Sequence, residues 1–150
     1  MNASSLPCSG STLGLLFRQI RDGMWTRMEE ELAAAGHDLT MSQYVVLKVL
    51  AGGQAGVTDL ARHAELNPGA MTRLLDKLEA RGIVARSADP ADRRALHIRL
   101  TEAGRKMWQD VSQCGQRVRE RALAGLSDAE REHLLRLLEQ VRDNLSPTGS

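Results

Sequence analysis

Apolar positions along the chain change their spacing several times, and each change marks a predicted element. Leu13, Leu16, Phe17, Ile20, Met24, Met28, Leu32 and Ala35 recur at steps of three and four, the stripe of a long amphipathic helix that Gly36 stops. Thr40 and Gln43 then have capping-box spacing, with Leu39 and Tyr44 spaced as a hydrophobic staple, so a second helix is predicted to about Ala51. Gly52, Gly53 and Gly56 break it, and Val57 to Ala64 supplies a short third helix around Leu60 and Ala61. Asn67 before Pro68 reads as an N-cap with proline in the first turn. The fourth helix so opened carries Met71, Leu74, Leu75 and Leu78 inward, shows Thr72, Arg73, Asp76 and Lys77 on its other face, and stops near Arg81-Gly82.

The period then drops to two. Ile83 to Ser87 reads as a strand, and Leu96, Ile98 and Leu100 alternate with His97 and Arg99 as a second. Ala88 to Arg94 between them is a charged turn, which makes a hairpin with a basic tip. Thr101 caps a fifth helix running through Met107, Val111, Cys114 and Val118 to about Ala124. Ser127 and Glu130 form a second capping box and open a last helix with Leu134, Leu135, Leu137, Leu138, Val141 and Leu145. The predicted fold class is mostly α with a small β-hairpin wing: a winged helix-turn-helix domain over residues 39–100, a first dimerisation helix in 1–38 and C-terminal dimerisation helices in 101–150. The long outer helices carry more apolar surface than a small middle domain can cover, so self-association is expected, with a monomeric bundle as the alternative.

Composition sharpens this picture. Of the 150 residues 42% are hydrophobic and only 3% aromatic, so the core rests on aliphatic residues and methionine, which suits helix packing. The net charge is +1, yet from Arg62 to Lys106 ten basic residues stand against six acidic ones, a local excess of four. A basic middle between mildly acidic ends fits one nucleic-acid-facing module, although a solvated charged face gives the same pattern. The start, Met1 to Thr12, lacks the basic and apolar regions of a secretory leader, and the longest apolar region, Tyr44 to Ala51, is interrupted by Lys48. No membrane is expected as partner, and a cytoplasmic location follows. The four histidines lack metal-ligand spacing, and no nucleophile motif, paired carboxylates or phosphate loop occurs, so no metal, no cofactor and no enzymatic activity are expected.

A short helix, a turn, a helix with small residues at its start and then a hairpin suit the DNA major groove, where bulk near the helix N-terminus would hold the backbone away from the bases. Gly69 and Ala70 leave room; Thr72 and Arg73 reach base edges or phosphates, and Lys77 a phosphate. Arg86 and Arg93 add basic charge on the hairpin, whose tip sends Arg94, held by Asp92, toward a narrow minor groove. A merely soluble turn is the commoner source of such residues, and the preceding helix shifts the balance.

Leu60-Ala61, Leu74 to Val84, Asp89-Pro90-Ala91-Asp92-Arg93-Arg94 and Leu100-Thr101-Glu102-Ala103-Gly104 together resemble the MarR family of bacterial regulators, over nearly the whole chain. Gly69-Ala70 departs from the Ser and Thr frequent there. The resemblance implies a triangular homodimer joined through the first, fifth and sixth helices, recognition helices in the major grooves of a palindromic double-stranded DNA operator, and wings in the flanking minor grooves. It also implies repression relieved by a ligand or an oxidant. For a small aromatic effector, Trp25, Met28 and Tyr44 offer a cleft with Arg18 or Arg21 as charge partner, against plain core packing. For an oxidant, Cys8 and Cys114 resemble the two-cysteine peroxide sensors of the same family. A winged-helix dimer that docks proteins instead of DNA is the alternative function.

Overall fold

The computed structural model describes residues 10–91 and 95–147. Helix α1 (Gly10–Ala34) ends where the sequence places its stop: Gly36 takes a left-handed conformation, its N–H donates to the Ala33 carbonyl and that of His37 to Leu32. Thr40 and Gln43 cap α2 (Met41–Ala51) reciprocally, as their spacing requires. After a two-residue strand β1 (Ala55–Gly56) come α3 (Val57–Ala64) and α4 (Pro68–Ala80), then β2 (Val84–Ala88) and β3 (Leu96–Leu100), α5 (Glu102–Ala122) and α6 (Asp128–Leu145).

The strands form one antiparallel sheet in the order β1-β3-β2, with Val84 opposite Leu100, Arg86 opposite Ile98 and Ala55 on the other side of Ile98. Ile98, Leu100 and Val84 are buried, whereas Leu96 is 46% exposed. It pairs with Ala88 at the outer end of the wing, where the strands have run past the helices that cover the sheet's root.

Two compact units divide the chain, Met1–Val118 and Arg119–Ser150. In the first, Met28 and Leu32 of α1, Val46, Leu47 and Leu50 of α2, Leu60, Met71, Leu75 and Leu78 of the helix pair, and Val111, Cys114 and Val118 of α5 share one core. The inner faces of α1 and most of α5 complete the core of the middle segment. Thr101 joins the wing to α5, donating from Oγ1 to the Gly82 carbonyl (2.5 Å) and accepting from the Gly104 N–H (3.0 Å). Gly104 is buried against the Ile83 carbonyl oxygen, and a Cβ there would overlap it. In the second unit the Ser127–Glu130 capping box opens α6, and Arg131 pairs with Glu120 at 2.8 Å. No helix among the described residues is long and apolar enough to cross a membrane.

Candidate nucleic-acid interface and effector cleft

The α3–α4 pair is set by its turn. Glu65 adopts φ +55°, the left-handed cap that closes α3, and Asn67 Oδ1 accepts the Ala70 N–H at 2.8 Å to open α4. Pro68 has no N–H, so Gly69 carries the open donor of the first turn, at the positive end of the helix, where an anion is favoured. Gly69 is exposed and Ala70 half-buried, which keeps this end of the helix thin. Thr72 spends its hydroxyl proton on the Pro68 carbonyl (2.9 Å), so its side chain faces outward as an acceptor and a methyl group. Arg73 and Lys77 are exposed on the same face, with no carboxylate within ion-pair distance among the described residues.

Arg86 stands differently. Its guanidinium bonds Asp76 at 2.7 Å, lies 3.7 Å from Glu79 and reaches the Thr72 carbonyl at 3.4 Å, and its side chain is only 24% exposed. Its charge is already matched by two carboxylates of α4, so it ties the wing to the helix instead of standing open to solvent. At the wing's outer turn Asp89 accepts from the Ala91 N–H (2.8 Å) and pairs with His97 (3.1 Å), an Asx turn that the Asp-Pro pair anticipates. Asp92, Arg93 and Arg94 lie outside the described residues.

A cleft of about 230 Å³ opens between α1, α2 and α5. Arg21, Trp25, Met28 and Tyr44 all line it; Arg18 does not, and sits a turn away beside Asp22. Met24, Met41, Val45, Lys48, Gly115 and Val118 complete the lining. Lys48 was detectable in principle, four residues after Tyr44 on the same helix face. Gly115 was not, because its role is tertiary: a Cβ there would stand 2.9 Å from the Tyr44 hydroxyl. Burial, helped by the nearby Cys114, pushes the Tyr44 hydroxyl's pKa up, so it stays a neutral donor in this cleft.

Cys8 lies outside the described residues. Cys114 is fully buried, its sulfur 3.7 Å from the Glu31 carbonyl and 3.4 Å from an Arg117 nitrogen. Burial raises its pKa although Arg117 opposes the shift, which is the reverse of an activated thiolate. Among the described residues no group of His, Cys, Asp and Glu is arranged to hold a metal ion.

Residues 39–96, the segment holding this helix pair and wing, match the family model described as the MarR family. The HTH-type transcriptional repressor Rv2887 of Mycobacterium tuberculosis is 32% identical over 130 residues, covering 86% of this chain and 92% of its own. The chain belongs to the MarR family. Among solved structures, a cysteine-to-serine mutant of Escherichia coli MarR complexed with operator DNA superposes on this MarR-family chain with a TM-score of 0.73 at 27% identity, over 87% of this chain and 93% of its own. NadR in complex with 4-hydroxyphenylacetate does so with a TM-score of 0.76 at 26% identity, over 99% and 100%. A winged-helix regulator of transcription is therefore the class of this protein, a class of DNA-binding proteins and not of enzymes.

Proposed function

We propose that this MarR-family chain is a homodimeric repressor of a palindromic double-stranded operator, released by a small aromatic acid. The observation that carries the DNA reading is the outer face of α4: Gly69 and Ala70 leave the helix start thin, and Arg73 and Lys77 stand beyond it with no ion-pair partner among the described residues. Gly69, Ala70 and Thr72 approach the major-groove base edges, Arg73 takes a guanine or a phosphate, and Lys77 takes a phosphate. Arg86 serves indirectly, by fixing the wing against α4, while Asp92, Arg93 and Arg94 at the wing tip meet the minor groove. The work is done in the cytoplasm, beside the chromosome.

The signal belongs in the α1–α2–α5 cleft. Trp25, Met28 and Tyr44 supply apolar and aromatic walls, and Arg21 and Lys48 supply two cations at its edge, a combination suited to an aromatic carboxylate such as the 4-hydroxyphenylacetate bound by NadR. Release by oxidation through Cys8 and Cys114 is disfavoured by the sealed, high-pKa thiol of Cys114.

The test is fluorescence anisotropy with labelled DNA from upstream of its own gene, across a salt series. Log affinity is expected to fall steeply with log salt, and Arg73→Ala to cost about 1–3 kcal/mol if the contact is to guanine. Lys77→Ala should lower the salt slope by about one and weaken all sequences alike. Affinity that is flat in salt and indifferent to both substitutions would replace this reading with the protein-docking one.

A further inference from the structure

A second cavity, of about 450 Å³, lies at the root of the wing, between the end of α2, strand β3 and the first turns of α5. It shares no lining residue with the α1–α2–α5 cleft. Arg99 and Arg105 both line it, and among the described residues no aspartate or glutamate does. Arg105 donates from Nη1 to the Leu100 carbonyl at 3.1 Å, which anchors one side of its guanidinium and leaves the remaining donors free to turn into the cavity. Arg99, opposite Ala85 on the wing, has no ion-pair partner among the described residues. Leu50, Leu100 and the half-buried Trp108 supply the apolar wall.

We propose that this wing-root cavity is a binding site for a small aromatic carboxylate, distinct from the effector cleft. Two guanidinium groups without a counter-charge repel each other, and a single carboxylate relieves that repulsion while matching the planar fork of either arginine. The indole of Trp108 offers a flat apolar face for the ring attached to it. A bare inorganic anion would use the arginines and leave the apolar wall wet, and a neutral aromatic would leave the cations unmatched. An aromatic row links this site to the other: Trp108 lies 5.9 Å from Tyr44 and Tyr44 lies 6.3 Å from Trp25, ring centre to ring centre. The site needs no assumption about what fills the α1–α2–α5 cleft.

The chain has two tryptophans, one at each cavity, so each can be made the sole reporter. Trp25→Phe leaves Trp108, whose fluorescence is then followed during titration with benzoate, with benzamide and with inorganic phosphate. The expected result is a saturable change with benzoate, none with benzamide, and a benzoate response that phosphate does not reproduce. Arg99→Ala and Arg105→Ala in that background are each expected to weaken benzoate by about fivefold, as loss of one exposed charge-assisted contact predicts. In Trp108→Phe, by contrast, the Trp25 response should be unaffected by the same arginine substitutions. If Trp25→Phe fails to fold, the indole N–H resonance of Trp108 in the otherwise unaltered chain serves as reporter, with and without Arg99→Ala. Overturning results are a silent Trp108, a benzoate response indifferent to both arginine substitutions, an equal response to benzamide, or a response that phosphate alone reproduces.

Discussion

Helix α4 has three leucines and helix α6 has five, and the two helices differ in what becomes of them. In α4, Met71, Leu75 and Leu78 are fully buried, and the polar residues left outside include those proposed to meet DNA, Thr72, Arg73 and Lys77, beside the Asp76 and Glu79 that hold Arg86. In α6 no residue is buried: Leu135 is 54% exposed and Leu145 79%, although the helix is capped as completely as any in the chain. The first half of α1 repeats this condition, with Leu13, Leu16 and Ile20 about half exposed. Good capping makes a helix; it does not say what covers it. Apolar stripes of this length are uncommon on a finished surface, and they favour a second copy of the chain as their cover.

The contrast can be broken at its strong end first. Leu75→Ala is expected to cost about 3–4 kcal/mol, a transfer loss plus an unfilled cavity, at every protein concentration in urea denaturation. The paired substitution Leu135→Ser with Leu138→Ser should leave the unfolding midpoint of the first unit in place at high dilution, while shifting the species seen in sedimentation from dimer to monomer. A double variant that stays dimeric would remove α6 from the interface and, with it, the reason offered for its exposed leucines. A variant whose first unit unfolds would show instead that α6 covers the core of its own chain.

The same contrast explains what could be read from the chain alone. Both capping boxes, the Asn67-Pro68 start of α4 and the Gly36 stop are local: their partners lie within five residues, and their chemistry is stereotyped. Strand β1 escaped notice because two residues cannot display an alternation, and its partner Ile98 lies far along the chain. Arg86 carried a charge but no sign of Asp76 and Glu79, which meet it only after the chain turns back at Gly82. In the cleft, Trp25 and Met28 on the first helix and Tyr44 on the second could be named as walls but not told from ordinary core residues, while the part of Gly115 depends on α5 lying against Tyr44. Glu65 gave the least warning: the left-handed cap between α3 and α4 is a glycine position by geometry, and a glutamate stands there.

That glutamate provides a smaller test, on the well-packed side of the comparison. Replacing a non-glycine residue at φ +55° removes backbone strain, partly offset by glycine's greater freedom in the unfolded chain. Glu65→Gly is therefore expected to gain about 0.5–1 kcal/mol in thermal or urea unfolding. A loss would mean that the Glu65 side chain contributes something at the turn that outweighs the strain of its backbone.

The smallest effect sits on the other side, at the start of α6, and depends on pH. Glu130 accepts the Ser127 N–H at 2.9 Å while Ser127 Oγ accepts the Glu130 N–H at 3.2 Å. The bond from the Ser127 backbone is the leading cause that holds the Glu130 carboxyl below its ordinary pKa; the Ser127 side chain adds to it. A depressed folded-state pKa means that ionised Glu130 stabilises the cap above its unfolded pKa, and that this contribution disappears as pH falls through the folded value. The helix start should thus be indifferent to pH between 7 and about 5, where both states are ionised, and should loosen only under more acid conditions. Carboxyl resonances followed by NMR provide the direct reading: Glu130 should titrate below the exposed glutamates of the same chain, and Ser127→Ala should bring it back toward them. If it titrates among them already, the reciprocal cap is not maintained in solution. The beginning of α6 would then be as weakly held as its leucines are uncovered, and an intermolecular partner would have to order the helix as well as bury it.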